Sequence, residues 1–337
     1  MASADFAEMR RIVGQLPGPD DAAAAQAAAH QAQLTKPAGA LGRLEEIALW
    51  LARWQGRHPP RLDRPRVAVF AGNHGVAARG VSAYPASVTA QMVRNFQSGG
   101  AAINQLTAQI DADLRIYEMD LEHPTDDFTD GPAMDEARCA RAMAYGMMAV
   151  EPGIDVLCLG EMGIANTSSA AALCLALYGG EAADWVGPGT GAIGATLMRK
   201  QQAVAHAVVA NRVLLDDPLH VLRALGGEEL AAIAGAVLAA RMGRVPVLLD
   251  GFACCAAAAV LKAIDARALD HCLVAHRSAE PGHARLLQRL AMRPLLDLDM
   301  RLGEGTGAAL AVNLLKAAVA CHTGMASFTQ AGVDGPA

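Results

Sequence analysis

The sequence lacks the basic, aromatic-interleaved stripe by which many proteins bind nucleic acid. Its 337 residues carry a formal net charge of -6, and aromatic residues make up only 4%. Such binding depends on clustered lysine and arginine side chains that neutralise phosphates. We therefore expect no nucleic-acid partner and a small-molecule ligand instead.

Long apolar runs are also missing. The longest uncharged stretch, 162–180, contains Asn166, Thr167 and two serines, which would lack hydrogen-bond partners in lipid. The amino terminus carries acids and shows no charged-then-apolar order, so we expect no signal peptide. These features predict a cytoplasmic protein that does not span a membrane.

Paired cysteine motifs are the third absence. The seven cysteines include no CxxC spacing and mostly stand in apolar surroundings, which indicates buried free thiols in a reducing compartment. His276 and His283 also lack the spacing of two metal ligands on a helix. We expect no bound metal.

What the sequence does contain is a series of short apolar runs separated by helix-length, alanine-rich segments. Strands in such an order imply crossover connections and a mostly parallel sheet with helices on both faces, a Rossmann-like α/β fold. Residues 20–58 instead read as helices, followed by a linker at 56–60. The predicted strands are 67–71, 114–117, 156–159, 245–249, 271–275 and 295–300.

Glycine and polar residues follow most of these runs directly. In open parallel sheets, ligands bind at the carboxyl ends of the strands. The most informative case is 301–307, where Glu304 stands between Gly303 and Gly305, just before an alanine-rich helix. Glycines there let backbone N–H groups approach a ligand beside the positive end of a helix, so Glu304 is the first candidate for chemistry.

Glu161 follows another predicted strand and suggests a second acid in the same cleft. Two neighbouring carboxylates raise each other's proton affinity, and burial adds to this effect, so either could act as a base near neutral pH. Alternatively, Glu161 caps a helix and fixes the loop. His74 is either a catalytic base, a ligand-positioning donor or a histidine that closes its loop by hydrogen bonds.

Three further side chains are candidates for a ligand contact or for a structural role. Ser278, with its neighbour Arg277, offers a hydroxyl and a cation suited to an anionic group. Lys200 either reaches the same anion or is a solvated surface lysine. Asp250 most simply caps the helix that follows it.

Two segments, 187–192 and 303–308, fit the dinucleotide pattern G-x-G-x-x-A. The full pattern belongs to a strand-helix-strand unit with an acid about 20 residues further on. The chain soon ends after Gly303, and 324–328 contains no acid. We therefore expect no NAD and no other cofactor.

Six blocks, in order, resemble the nicotinate-nucleotide:dimethylbenzimidazole phosphoribosyltransferase family. The first runs from Lys36 to Glu45, and the last contains the glycine-flanked Glu304. The resemblance covers most of the chain. The blocks are 36–45, 72–76, 80–85, 160–167, 276–280 and 302–307.

The resemblance implies a homodimer with a large α/β domain, 60–320, and a small helical domain formed by 1–59 with 321–337. It implies transfer of phosphoribose from nicotinate mononucleotide to 5,6-dimethylbenzimidazole, which gives alpha-ribazole 5'-phosphate for the lower ligand of cobalamin. It also implies that Glu304 is the catalytic base, with Glu161 as a second acid near the substrates. The other implied substrate contacts are Gly163, Asn166, Thr167, Lys200, Ser278, Gly303 and Gly305, with Tyr84, Met92 and Met162 around the flat base.

The sequence departs from this family at 187–194. Pro188 stands where an arginine is common, and 192–194 stand where an acidic run usually follows. This departure leaves open a second interpretation, a catalytically impaired protein of the same fold that binds the nucleotide and the base.

Overall fold

The computed structural model of the chain describes residues 5–335, and its centre is a five-stranded parallel sheet. The strands lie in the order β2-β1-β3-β4-β5. They are β1 (Pro65–Gly72), β2 (Asp113–Met119), β3 (Val156–Met162), β4 (Val247–Leu249) and β5 (Cys272–Val274).

The sixth predicted strand, 295–300, is wrong as a regular strand. Leu296 pairs with His276 only as an isolated parallel bridge. Three residues later Asp299 adopts a φ of +55°, a left-handed conformation that a strand cannot contain. The apolar run therefore pairs briefly beside β5 and turns at Asp299, but it stays next to the residues after β5, since Ala279 N donates to Met300 O at 2.9 Å.

Helices cover both faces of the sheet. Every residue of β1 is buried, and its side chains alternate between two cores, as expected for a parallel strand covered on both sides. Ala68 and Phe70 belong to one core, whereas Val67 and Val69 belong to the other. The predicted α/β fold is confirmed. The helices are α1 (Phe6–Val13), α2 (Asp21–Gln31), α3 (Arg43–Gln55), α4 (Ser87–Gln97), α5 (Ala102–Gln109), α6 (Glu136–Met147), α7 (Asn166–Tyr178), α8 (Gly194–Ala210), α9 (Pro218–Leu225), α10 (Glu228–Met242), α11 (Phe252–Ile264), α12 (Pro281–Leu290), α13 (Thr306–Gly324) and α14 (Phe328–Ala331).

The sheet order determines where a ligand would bind. After β1 the chain moves outward to β2, then returns past β1 to form β3 on the other side. Sheets of order 2-1-3-4-5 bind ligands where this direction reverses, outside the carboxyl ends of the first and third strands. That edge carries the loops 73–75 and 163–166.

Two segments from the N-terminal and C-terminal regions of the chain are in contact. Leu34 and Ser327 form an isolated antiparallel bridge, and Thr35 N donates to Ala326 O at 3.1 Å. However, Leu51 of α3 belongs to the same core as Val67 of β1. The boundaries of the small helical domain stay a prediction. No helix within residues 5–335 is long and apolar enough to cross a membrane.

Candidate active site

The candidate site is a cleft at the carboxyl edge of the sheet. It is bounded by the ends of β3, β4 and β5 and by the turn before α13. Its lining combines apolar atoms of Phe252 and Leu302 with carboxylates, amides and hydroxyls. The predicted site residues that line it are Glu161, Met162, Gly163, Asn166, Thr167, Ser278 and Gly303.

Glu304 lies in a tight turn whose Gly303 lines the cleft, although Glu304 itself is not among the lining residues. Gly303, Glu304 and Gly305 have φ values of +83°, +64° and +78°. Left-handed backbone is ordinary for glycine but disfavoured for glutamate. The turn is fixed to the end of β3, because Glu304 N donates to Glu161 O at 3.0 Å. The Glu304 side chain is only 4% exposed.

Glu161 is the second carboxylate at this point. Asn166 Nδ2 donates to its Oε2, and a Cβ on Gly303 would lie 2.5 Å from its Oε1. Gly303 therefore packs closely against the Glu161 carboxylate, and its φ of +83° also favours glycine there.

The pKa values of both acids are raised, although the main causes are burial and Asp250 rather than the two acids' effect on each other. Burial, and after it the Asp250 carboxylate, raises the pKa of Glu304 to about 7. Burial and Asp250 also raise the pKa of Glu161 to about 8, against the lowering effect of the Asn166 hydrogen bond. A carboxylate with a pKa near 7 is matched to proton abstraction at neutral pH.

Asp250 is fully buried at the end of β4. Its Oδ2 accepts from Gly305 N at 3.2 Å, and its Oδ1 accepts from Ala308 N at 2.9 Å. The expectation that it caps the next helix is wrong, because α11 begins at Phe252 after the N-cap residue Gly251 and has no side-chain cap. Asp250 instead caps α13 and so holds the turn that carries Glu304.

Lys200 of α8 is 2% exposed and is not a solvated surface lysine. Its Nζ donates to Thr167 Oγ1 at 2.8 Å and to Gly187 O at 2.9 Å. Burial lowers the pKa of this ammonium to about 8. Lys200 therefore places a positive charge between α7 and the 187–194 loop.

Ser278 follows β5 and is 6% exposed. Its backbone N donates to His283 Nδ1 at 2.8 Å, and its Oγ accepts from Glu280 N at 3.2 Å. The hydroxyl proton is thus available to a ligand in the cleft. Arg277, its proposed companion, pairs with Asp297 at 3.2 Å near the surface.

Within residues 5–335, no group of three or more histidine, cysteine or acidic side chains is arranged to hold a metal ion. The cleft is lined by hydroxyls, carboxylates, an amide and backbone groups, and the Lys200 ammonium bonds Thr167 of this lining.

Known proteins are similar to this chain in sequence and in fold. A family model described as phosphoribosyltransferase matches residues 16–333. The nicotinate-nucleotide–dimethylbenzimidazole phosphoribosyltransferase of Brucella anthropi is 57% identical over 330 residues, which cover 98% of this chain and 97% of that protein. Its namesake from Rhizobium meliloti is 59% identical over 329 residues, with the same two coverages.

A solved structure agrees. The crystal structure of the enzyme of this name from Thermus thermophilus matches with a TM-score of 0.87 and 42% identity, over 94% of this chain and 100% of that one. This chain belongs to the nicotinate-nucleotide–dimethylbenzimidazole phosphoribosyltransferase family. The resemblance inferred from the six blocks is confirmed.

The residues predicted to surround the flat base are only partly in the cleft. Met162 lines it, but Tyr84 is 53% exposed and Met92 packs against the second core, and neither contributes to the lining. Ser82 Oγ lies 3.1 Å from Thr190 Oγ1, which joins the loop before Tyr84 to the 187–194 loop. The roles of Tyr84 and Met92 stay predictions.

The 187–194 loop, where the sequence departs from the family pattern, is bonded by the side chains of Lys200, Glu280 and Arg301. Besides Lys200, Glu280 Oε1 accepts from Gly189 N at 2.8 Å, and Arg301 Nη1 donates to Gly189 O at 2.6 Å. Sequence reasoning assigned no role to Glu280 or Arg301. The local signal was present for both, since each stands within a few residues of a predicted strand end.

Proposed function

We propose that this chain transfers phosphoribose from nicotinate mononucleotide to 5,6-dimethylbenzimidazole, releasing nicotinate and forming alpha-ribazole 5'-phosphate for the lower ligand of cobalamin. The observation that carries the proposal is Glu304, a buried carboxylate with a pKa of about 7 at the sheet's switch point. Family membership supports the choice of substrates.

The proposed reaction balances without an external acid. One azole nitrogen of the base bonds to the ribose carbon C1', while the bond from C1' to the pyridinium nitrogen breaks and its electron pair returns to the nicotinate ring. The proton on the other azole nitrogen passes to Glu304. A positioned carboxylate also favours the positive charge that develops on the attacking ring.

In this proposal the donor lies at the polar side of the cleft. Lys200, Thr167 and Ser278 supply a cation and hydroxyls, and Gly163 supplies backbone at the start of α7. The positive end of a helix and its free N–H groups favour phosphate. Asn166 keeps Glu161 in place as the second acid.

Substituting Glu304→Gln tests this proposal. The amide keeps the shape of the side chain but cannot accept the proton, so we expect kcat to fall by about 100-fold or more. Product is measured by mass spectrometry, with the exposed Glu46→Gln as the matched control. Unchanged turnover in Glu304→Gln would refute the assigned base. Binding of both ligands by wild-type protein without product would instead identify an impaired enzyme.

We also propose a cytoplasmic homodimer that binds small molecules and no nucleic acid. Six of the seven cysteines are buried as free thiols, which suits a reducing compartment. Large apolar side chains beside the cleft are exposed, including Ile193 at 77% and Leu302 at 57%, and such groups often mark subunit contacts. Light scattering during gel filtration tests the dimer, and a monomer mass would contradict it.

A further inference from the structure

A buried histidine-glutamate pair lies beside the donor side of the cleft. His74, just after β1, and Glu229, in the first turn of α10, have side chains with no exposed surface. His74 Nε2 lies 2.7 Å from Glu229 Oε1, and His74 Nδ1 lies 3.1 Å from Ser169 Oγ of α7. The proposed reaction assigns no role to any of these three residues.

The hydrogen bonds determine where the protons are. Ser169 Oγ donates to Gly226 O at 3.1 Å, because a carbonyl oxygen can only accept. The Ser169 oxygen must then accept from His74, which places a proton on Nδ1. The contact between Nε2 and Glu229 Oε1 consequently holds one further proton, shared between a nitrogen and a carboxyl oxygen.

This shared proton keeps the pair electrically neutral. An imidazolium beside a carboxylate and a neutral imidazole beside a carboxylic acid both carry no net charge. Neutrality matters here, since Glu229 Oε2 has no hydrogen-bond partner among residues 5–335, and an unpaired buried charge is costly.

The arrangement is not a nucleophilic triad, although it contains serine, histidine and an acid. Ser169 is completely buried and its proton is directed to Gly226. An attacking serine must instead face the substrate and give its proton to the histidine. A structural task fits the three side chains better.

The neighbouring backbone is shaped around the pair. A Cβ on Gly72 would lie 2.5 Å from Glu229 Oε2, and one on Gly227 would collide with the His74 ring. Gly163 lies near the pair, because a Cβ there would lie 2.6 Å from Gly72 O and 3.4 Å from His74 Nε2. His74 thus lies beside the first residue of the turn that lines the cleft and bonds the first turn of α7 through Ser169.

That turn, 163–167, carries the proposed donor contacts. Asn166 N donates to Gly163 O at 3.2 Å, the Asn166 side chain holds Glu161, and Thr167 bonds Lys200. We propose that His74 and Glu229 are positioning residues of the transfer reaction, whose proton-sharing contact fixes the 163–167 turn for the nucleotide donor. This inference rests on the proposed function and on its placement of the donor.

Kinetics of matched variants test the inference. Glu229→Gln keeps the contact, since its amide N–H can donate to a neutral His74 Nε2, and we expect kcat/KM within about 3-fold of wild type. Glu229→Ala and His74→Ala remove it. For both we expect KM for nicotinate mononucleotide to rise about 10-fold or more, while KM for dimethylbenzimidazole stays within about 2-fold.

Ser169→Ala is the milder variant, because it removes one hydroxyl and leaves the pair in contact. We expect the KM for nicotinate mononucleotide to rise about 2- to 5-fold. This variant therefore tests the inference even if the other variants do not fold. Wild-type kinetics in folded His74→Ala, equal rises in both KM values, or identical losses in Glu229→Gln and Glu229→Ala would each overturn the inference.

Calorimetric titration of nicotinate mononucleotide separates this inference from the proposed function. If wild-type protein binds the mononucleotide but forms no product, the proposed function fails while the positioning role remains measurable. We then expect about 10-fold weaker binding in His74→Ala than in wild type, and equal binding would overturn the role.

Discussion

At the scale of single residues, Glu304 combines an unfavourable backbone conformation with an unfavourable burial of its carboxylate. A non-glycine residue in left-handed backbone costs about 1–3 kcal/mol, and a carboxylate loses hydration on burial. The surroundings offset the cost of the backbone conformation through the bonds to Glu161 and Asp250. Residues held this way cluster at functional sites.

The first prediction concerns the pH dependence of turnover. Glu304 must be ionised to accept a proton, and its pKa is raised to about 7. We expect kcat/KM to fall tenfold per pH unit below about pH 7 and to level off above it, up to the pH at which other groups titrate. An acid limb centred near pH 4.5, the ordinary value for glutamate, would contradict the raised pKa.

The second prediction concerns stability. The pKa of Glu304 is about 7 in the folded protein and 4.5 in the reference state, so between these values the folded state binds more protons and loses stability as pH rises. Glu304→Gln should therefore raise the free energy of unfolding by up to about 3 kcal/mol above pH 7. Near pH 4 it should change little.

Thermal unfolding of both proteins at pH 4 and pH 8 measures this effect. We expect the melting temperature of Glu304→Gln to exceed that of wild type only at the higher pH, although the variant has lost turnover. Glu46→Gln, which is exposed on α3, controls for the general effect of removing one negative charge. A lower melting temperature of Glu304→Gln at pH 8 would oppose the burial argument.

At the scale of elements, Asp250 couples the end of β4 to the start of α13. Its two oxygens each accept a backbone N–H of the same helix start. In Asp250→Asn one of these oxygens becomes an N–H donor that faces another donor. Leaving a buried donor unsatisfied costs about 1–3 kcal/mol, and the turn that carries Glu304 is the part that can shift.

The third prediction follows from this coupling. We expect Asp250→Asn to lower kcat by about 10-fold or more in a protein that still folds. Asp135→Asn is the matched control, because Asp135 caps α6 by accepting from a single N–H through Oδ1, which asparagine can reproduce. Equal activities of the two variants would mean that Asp250 does not position Glu304.

The same scale explains what could be predicted from sequence. Four of the five strands were found because buried parallel strands are continuous apolar runs. The edge strand β2 was found from 114–117 although it is partly exposed, and the polar residues after the strands predicted the cleft edge. Asp250 was misassigned, since its partners lie 55 and 58 residues further along the chain and no local pattern reports them. The role of Lys200 was left open for the same reason. Its side chain is bonded to Gly187 of the preceding loop and to Thr167 of α7, which lies 33 residues earlier in the chain.

At the scale of the whole molecule, the sheet brings segments that are far apart in sequence to one edge. A cluster of three histidines joins the N-terminal and C-terminal regions. His30, His58 and His322 come from both terminal regions, and their rings lie 4.9–5.4 Å apart between centroids. His30 Nε2 lies 2.8 Å from His322 O, and His322 Nδ1 lies 2.6 Å from Gln31 Oε1. Three rings this close cannot all be protonated without repulsion.

The cluster makes the joint between the termini sensitive to acid. Burial, followed by the neighbouring His30 and His58, lowers the pKa of His322 to about 4 from 6.5. A histidine with a lowered folded pKa contributes stability that is fully present above pH 6.5 and is lost as pH falls toward 4. The buried acids Glu161 and Glu304 change stability in the opposite direction, so only a difference between variants isolates the histidine.

The fourth prediction is that His322→Asn weakens this acid sensitivity. Asparagine can still donate to Gln31 but does not titrate, so the loss of unfolding free energy between pH 6.5 and 4.5 should be smaller than in wild type by up to about 3 kcal/mol. Urea unfolding at both pH values measures it, with the exposed His123→Asn as control. Parallel losses in His322→Asn and wild type would show that the cluster does not titrate against folding, and the acid sensitivity would then have to lie elsewhere than at this joint.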